Sequence, residues 1–179
     1  METPDLLGAA GADAFVRPAR AADLPAVGAV HSRSWRTAYA DHLPAEVLAA
    51  LEPDALAEAW RPAVTAPPSP RHHVLVACAG STVVGFAAGD GDGELVALHV
   101  DPAHQRRGHA SRLRAAAADL ARTDEVAALS TWCPLVDTAR RTFLESAGFG
   151  PDGAWRELEV PGAEGLRELR LVATLEGSG

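Results

Sequence analysis

The chain of 179 residues contains no Lys, no Asn and no Ile, and all 16 of its basic residues are Arg. Codons for the three missing residues are AT-rich, so the composition reads as that of a GC-rich genome. An Asn missing from a motif position therefore need not reflect design. Cysteine is scarce as well: Cys78 and Cys133 build neither a disulfide framework nor a metal cluster, and a reducing, cytoplasmic compartment is expected. The pair His72-His73 lacks partners at metal-ligand spacing, so no metal site is expected. No apolar run approaches the ~18 residues of a membrane helix, and no basic-then-apolar signal peptide is read at the N-terminus. No membrane association is expected. The 16 basic residues face 24 acidic ones, a formal net charge of -8. That balance argues against a nucleic-acid partner held by phosphate neutralisation and favours a neutral or cationic one.

What is present suffices for one core, since 47% of the residues are hydrophobic. Residues 1–13 are small, polar or glycine-containing and read as a loose tail, with a single domain over 14–175. Phe15-Val16-Arg17 reads as a strand, and Asp23 as the N-cap of a helix running to about Tyr39. Further helical segments begin at Pro44 and Pro53, the latter ending near Trp60, and Pro62 to Pro70 reads as a loop. Three strands follow, His73 to Cys78, Val83 to Ala88 and Glu94 to Val100, joined by turns rich in Gly and Asp. A helix from Gly108, a strand from Val126 to Trp132, a helix from Val136 to Ala147 and strands at Trp155 to Val160 and Leu166 to Leu175 complete the chain. The fold class is α+β: a central mixed, mostly antiparallel sheet of about seven strands flanked by helices, in the order β-α-α-β-β-β-α-β-α-β-β.

The informative stretch joins the third of those strands to the helix at Gly108 and contains Gln105-Arg106-Arg107-Gly108-His109-Ala110-Ser111. A loop that presents successive backbone N–H groups and a glycine at a helix N-terminus binds phosphate oxygens, because the unpaired amides and the positive end of the helix dipole point the same way. Neither a GK[ST] ending nor a G-x-G-x-x-G accompanies it, so nucleotide hydrolysis and hydride transfer are not signalled.

Residues 105–110 match the Q/R-x-x-G-x-G/A motif of the GCN5-related N-acetyltransferase (GNAT) superfamily, which the chain resembles over about Phe15 to Leu175. A second match to that family runs through Phe143, Glu145, Gly148 and Phe149, and His31 to Tyr39 with Leu43-Pro44 looks like one bacterial branch of it. The resemblance implies an acetyl-CoA-dependent N-acetyltransferase, with CoA as product and a small amine or a peptide N-terminus as acceptor. It implies that the backbone at Leu98, His99 and Val100 pairs with the pantetheine arm and that Gln105, Arg106, Arg107, Gly108, His109, Ala110 and Ser111 hold the pyrophosphate. Asp137 stands where the family has Asn, and Arg140 or Arg141 is expected near the 3′-phosphate. Trp35 and Tyr39 are the expected acceptor walls. Homodimers are common in the family, while the sequence leaves the oligomeric state open.

Chemistry adds a requirement. An alkyl amine of pKa ~10.4 must lose a proton before attacking at pH 7, a deficit of about 4.6 kcal/mol. The resemblance makes Glu94 the expected proton acceptor, since it lies eleven positions before Gln105, where some relatives carry their base, with His99 as the alternative on the opposite strand face unless a bulge changes the parity. The family's Tyr, which protonates the departing thiolate in many relatives, is replaced by Leu144. Slower turnover, or a catalytically weak acyl-CoA-binding regulatory protein, is the alternative expectation.

Overall fold

Continuous apolar runs, buried on both faces, set up the central strands of the first sheet. In the computed structural model, which describes residues 13–159 and 164–175, β1 (Ala14–Pro18), β2 (His73–Ala79), β3 (Thr82–Gly89) and β4 (Leu95–Val100) pair antiparallel in that order. Gly80, at φ 58°, makes the tight turn between β2 and β3. The two faces of this sheet bury different partners. Leu75, Ala77, Val84, Ala87, Leu98 and Val100 pack with Leu113 and Ala117 of α4 (His109–Thr123). Val74, Val76, Phe86 and Ala97 pack with Val27 and Val30 of α1 (Leu24–Ala38).

A second antiparallel sheet has the order β5 (Ala128–Pro134), β7 (Arg167–Thr174), β6 (Gly150–Glu157), with α5 (Thr138–Ser146) packed against it. The seven strands thus form two sheets of four and three. The two sheets meet at a parallel bridge between Glu94 and Ser130, beyond which β4 and β5 diverge. A free strand edge is left facing the gap.

The short α2 (Ala45–Ala49) and the longer α3 (Pro53–Thr65) complete the helices. Here the structure departs from the sequence reading. Pro62 does not begin a loop: α3 continues through it to Thr65, because Trp60, Ala63 and Val64 pack against the core behind Phe86. That burial outweighs the hydrogen bond Pro62 cannot donate, a loss confined to the last turn. Asp23 precedes α1 as expected but does not cap it with its side chain; its carboxylate accepts from Arg17 at 2.7 and 2.8 Å and from the Arg20 N–H at 2.7 Å. β4 begins at Leu95, with Glu94 only in the isolated bridge. The expected tail up to Ala12 and the strand end at Val160 lie outside the described residues.

Candidate active site

The last residue before the phosphate loop is tied down first. Asp101 accepts from the Ala103 N–H at 2.9 Å and from the Arg33 Nε of α1 at 2.8 Å. Burial would raise its pKa, yet these two donors hold it below the ordinary carboxylate value. The loop then turns through two left-handed residues, Arg106 at φ 61° and Gly108 at φ 82°. Alternation of right- and left-handed backbone turns successive N–H groups to one side and makes an anion-binding concavity. It opens directly at the N-terminus of α4, where His109 begins the helix. Burial, with Arg112 and His104 nearby, lowers the His109 pKa, so its ring is neutral at pH 7.

From this loop a cleft of about 550 Å³ runs along the free edge of β4 and under the end of α1. In an antiparallel strand the N–H and C=O of alternate residues point to the same edge. Two carbonyls on this edge are met by side chains: Leu98 O accepts from Arg140 Nη1 at 2.8 Å, and Val100 O from Gln105 Nε2 at 3.3 Å. The backbone of Leu98 and Val100 thus faces the cleft, a ready template for an extended, amide-bearing ligand.

Most residues expected at the site come together here. Trp35, Tyr39, Leu98, His99, Val100, Gln105, Arg106, Gly108, His109, Ala110, Ser111 and Asp137 all line the cleft. Arg107 and Arg141 do not: Arg107 is exposed on the loop, and Arg141 pairs with Glu145 at 2.8 Å on the outer side of α5. Asp137 accepts from the Arg140 N–H at 2.9 Å and caps α5.

Glu94 lies at the opposite end of β4 from the loop and outside the cleft lining, where its N–H donates to Asp90 Oδ1 at 2.9 Å. The register skips from Ala88 opposite Ala97 to Gly89 opposite Leu95, so Val96 bulges and strand parity breaks there. Leu98 and Val100 face α4, whereas the ring of His99 turns to α1 and the acceptor side of the cleft.

His99 Nδ1 lies 3.2 Å from Ser34 Oγ, and that hydroxyl donates to His31 O at 3.0 Å. A hydroxyl has one proton, so His99 donates its Nδ1–H to Ser34 and keeps Nε2 as the acceptor. The ring stacks on His31, centroids 4.9 Å apart, and His31 Nδ1 accepts from Trp60 Nε1 at 3.0 Å. Burial, helped by His31 and Arg140, pushes the His99 pKa well below 6.5. Tyr39 packs on Trp35 at 4.8 Å, and burial, with Asp137 adding, raises its pKa, which keeps the phenol protonated.

Sequence reasoning missed Trp132 and Glu168 as cleft residues, and Arg140, expected near the 3′-phosphate, lines the cleft beside Leu98 instead. Glu168 is 6% exposed and accepts from Arg156 Nε at 2.6 Å, while that guanidinium lies 4.3 Å over the Trp132 ring. Both residues reach the cleft through the pairing of β5, β6 and β7, which carries no local sequence signal. The position expected to offer a phenol, Leu144, is fully buried among Leu129, Cys133, Phe149 and Leu171. Burial raises the Cys133 thiol to about 11, so that sulfur stays protonated. Among the described residues no cluster of metal-ligand side chains occurs, and no helix is long and apolar enough to cross a membrane.

Residues 30–149 match the model of the Acetyltransferase (GNAT) family, and the chain belongs to that family. Solved structures share the fold. A GCN5-related N-acetyltransferase from Rhodopseudomonas palustris is 22% identical with a TM-score of 0.69, covering 89% of this chain and 94% of its own. The PaiA N-acetyltransferase from Thermoplasma acidophilum, solved with coenzyme A, is 16% identical with a TM-score of 0.68, covering 90% and 98%. YncA from Salmonella typhimurium, solved with acetyl-CoA, is 19% identical with a TM-score of 0.66, covering 94% and 97%. A search of curated proteins returns no significant sequence match.

Proposed function

We propose that the protein is a cytoplasmic N-acetyltransferase that moves the acetyl group of acetyl-CoA to a primary amine by direct attack. The observation that carries this reading is the single cleft in which the left-handed loop at Arg106 and Gly108, the free β4 edge at Leu98 and Val100, and the aromatic walls Trp35 and Tyr39 meet. The donor side fits acetyl-CoA: loop amides and Arg106 suit a pyrophosphate, and the β4 edge suits the amides of a pantetheine arm. When bound, acetyl-CoA supplies a thioester carbonyl for attack.

His99 is the proton acceptor in this reading. Its ring is neutral at pH 7, fixed by Ser34, and turned toward the side of the cleft where Trp35 and Tyr39 stand. A lowered pKa makes it a poor resting place for a proton, so His99 passes the amine proton on to solvent in the open cleft. The net charge of -8 favours a cationic acceptor. Incubating the purified protein with acetyl-CoA and a panel of small amines and peptides should release free thiol with at least one of them. Coenzyme A binding without thiol release from any acceptor would overturn the reading.

One observation favours a second reading, a non-catalytic acyl-CoA-binding protein: Leu144 is sealed in the core, so the α5 position expected to hold a phenol offers no proton donor. Calorimetry with coenzyme A beside the turnover assay separates the two. Binding without turnover selects the second.

A further inference from the structure

Two arginines stand side by side on α5 and do different things. Arg141 pairs with Glu145 on the outer side, whereas Arg140 turns inward and lines the cleft. Its Nη1 donates to Leu98 O at 2.8 Å and its Nη2 reaches Thr131 Oγ1 at 3.4 Å. Thr131 in turn donates to Leu95 O at 2.8 Å. The guanidinium therefore sits in the wedge where β4 and β5 part. Its Nε is buried without a hydrogen-bond partner, and none of the ion pairs among the described residues includes Arg140. A guanidinium cannot shed its charge at any physiological pH, and a buried N–H left without an acceptor is costly. Such a group calls for an anion or a strong acceptor at the cleft's inner end.

We propose that Arg140 is a catalytic cation that stabilises the coenzyme A sulfur as thiolate. The inference rests on the acetyl-transfer reading above. In that reaction the amine nitrogen bonds to the carbonyl carbon, the carbon–sulfur bond breaks, and its electron pair goes to sulfur. The amine proton leaves through His99 to solvent. Negative charge therefore develops on the sulfur of a thiol whose ordinary pKa is about 8.5. Arg106 and Arg140 are the two arginines that line the cleft, and Arg106 belongs to the phosphate loop. His99 is neutral. Arg140, held on the strand edge at Leu98, is left to balance the charge, and it does so by a charge-assisted hydrogen bond without giving up a proton.

The test reads the thiol itself. Coenzyme A is bound to the full chain and its thiol titrated by thiolate ultraviolet absorbance, with binding followed separately by calorimetry. Bound to the wild-type chain, the thiol should hold its proton roughly tenfold more weakly than in free coenzyme A. The effect should vanish in Arg140→Met and survive in part in Arg140→Lys, which keeps the charge but loses the planar fork. Thermal unfolding checks that Arg140→Met folds. Should it not, Arg140→Lys and the affinity of the wild-type chain for S-methyl coenzyme A supply the comparison. The methylated ligand, which cannot ionise, should bind about threefold more weakly than coenzyme A at pH 8, a ratio that rises toward tenfold above pH 9. Coenzyme A bound with an unshifted thiol, a shift that persists in Arg140→Met, or equal affinity for the methylated ligand overturns the proposal and leaves the acetyl-transfer reading standing. Absence of coenzyme A binding in calorimetry overturns both.

Discussion

The imidazoles of His31 and His99 stack with their centroids 4.9 Å apart, one carried by α1 and the other by the edge strand β4. Trp60 and Ser34 supply the polar contacts of the pair, and no carboxylate forms an ion pair with either ring among the described residues. Two protonated rings at that separation would repel each other in a buried setting. The joint between helix and cleft is therefore built for neutral histidine.

That arrangement predicts acid sensitivity. Burial lowers the His31 pKa from 6.5 to about 4, so the unfolded chain binds more protons than the folded one between those values. Stability therefore rises with pH through this window and is lost as pH falls below about 6.5, by roughly 3 kcal/mol from His31 alone at pH 4. His99, also lowered, acts in the same direction. Asp23 and Asp101, held below the usual carboxylate value, lose their contribution at still lower pH. Thermal unfolding should show Tm falling steadily from pH 7 to pH 4.5. A flat profile over that range would show that the two rings are not held neutral by the fold.

His99→Gln should separate chemistry from binding. Glutamine preserves a donor toward Ser34 but removes the imidazole acceptor, so kcat should drop ~10²- to 10⁴-fold while KM for acetyl-CoA changes little. The deficit should shrink as pH approaches the amine pKa of ~10.4, where solvent alone deprotonates the acceptor. A variant as active as wild type at pH 7 would take His99 out of the proton path.

Leu144→Tyr should fail to restore a proton donor. The position has no exposed surface and touches Leu129, Cys133, Phe149 and Leu171, so a phenol there overfills the core and buries an unpaired hydroxyl. Overpacking costs about 1–3 kcal/mol and an unsatisfied hydroxyl about 1–3 more. At about 2–4 °C per kcal/mol for a chain of this size, Tm should fall by roughly 5 °C or more with no gain in turnover. Faster turnover at unchanged Tm would place residue 144 at the cleft.

What was legible in the sequence follows how local each signal is. Gln105 to Ser111 declares itself because a phosphate loop is built from consecutive residues, and the hairpin around Gly80 because β-branched runs and turn residues are neighbours. Glu94 was chosen for its spacing from Gln105, and spacing does not show that it precedes β4 at the end away from the loop, before a bulge at Val96 that depends on how β3 and β4 register. Trp132 and Glu168 stand thirty-six positions apart and reach one cleft only when β5 pairs with β7. Arg140 and Arg141 are alike in sequence, and only the packing of α5 decides which of them turns inward. Pro62 misled for a related reason, since the burial of Val64 against the sheet is a tertiary effect that overrides a local helix breaker.

Gly108→Glu should abolish coenzyme A binding while leaving the fold in place. Gly108 sits at φ 82°, where a side chain costs about 1–2 kcal/mol, and its Cβ would stand 3.0 Å from Arg112 Nη1, the movable end of an exposed side chain. The steric cost is thus modest, and the main effect is electrostatic: a carboxylate enters the concavity whose amides await a pyrophosphate. Calorimetry should show affinity for coenzyme A reduced more than 100-fold, with a smaller loss, about tenfold, in Gly108→Ala, which adds strain without charge. Dephospho-coenzyme A, which keeps the pyrophosphate and lacks the 3′-phosphate, should suffer in the same proportion. Undiminished affinity in Gly108→Glu would mean that the pyrophosphate is bound elsewhere on the chain.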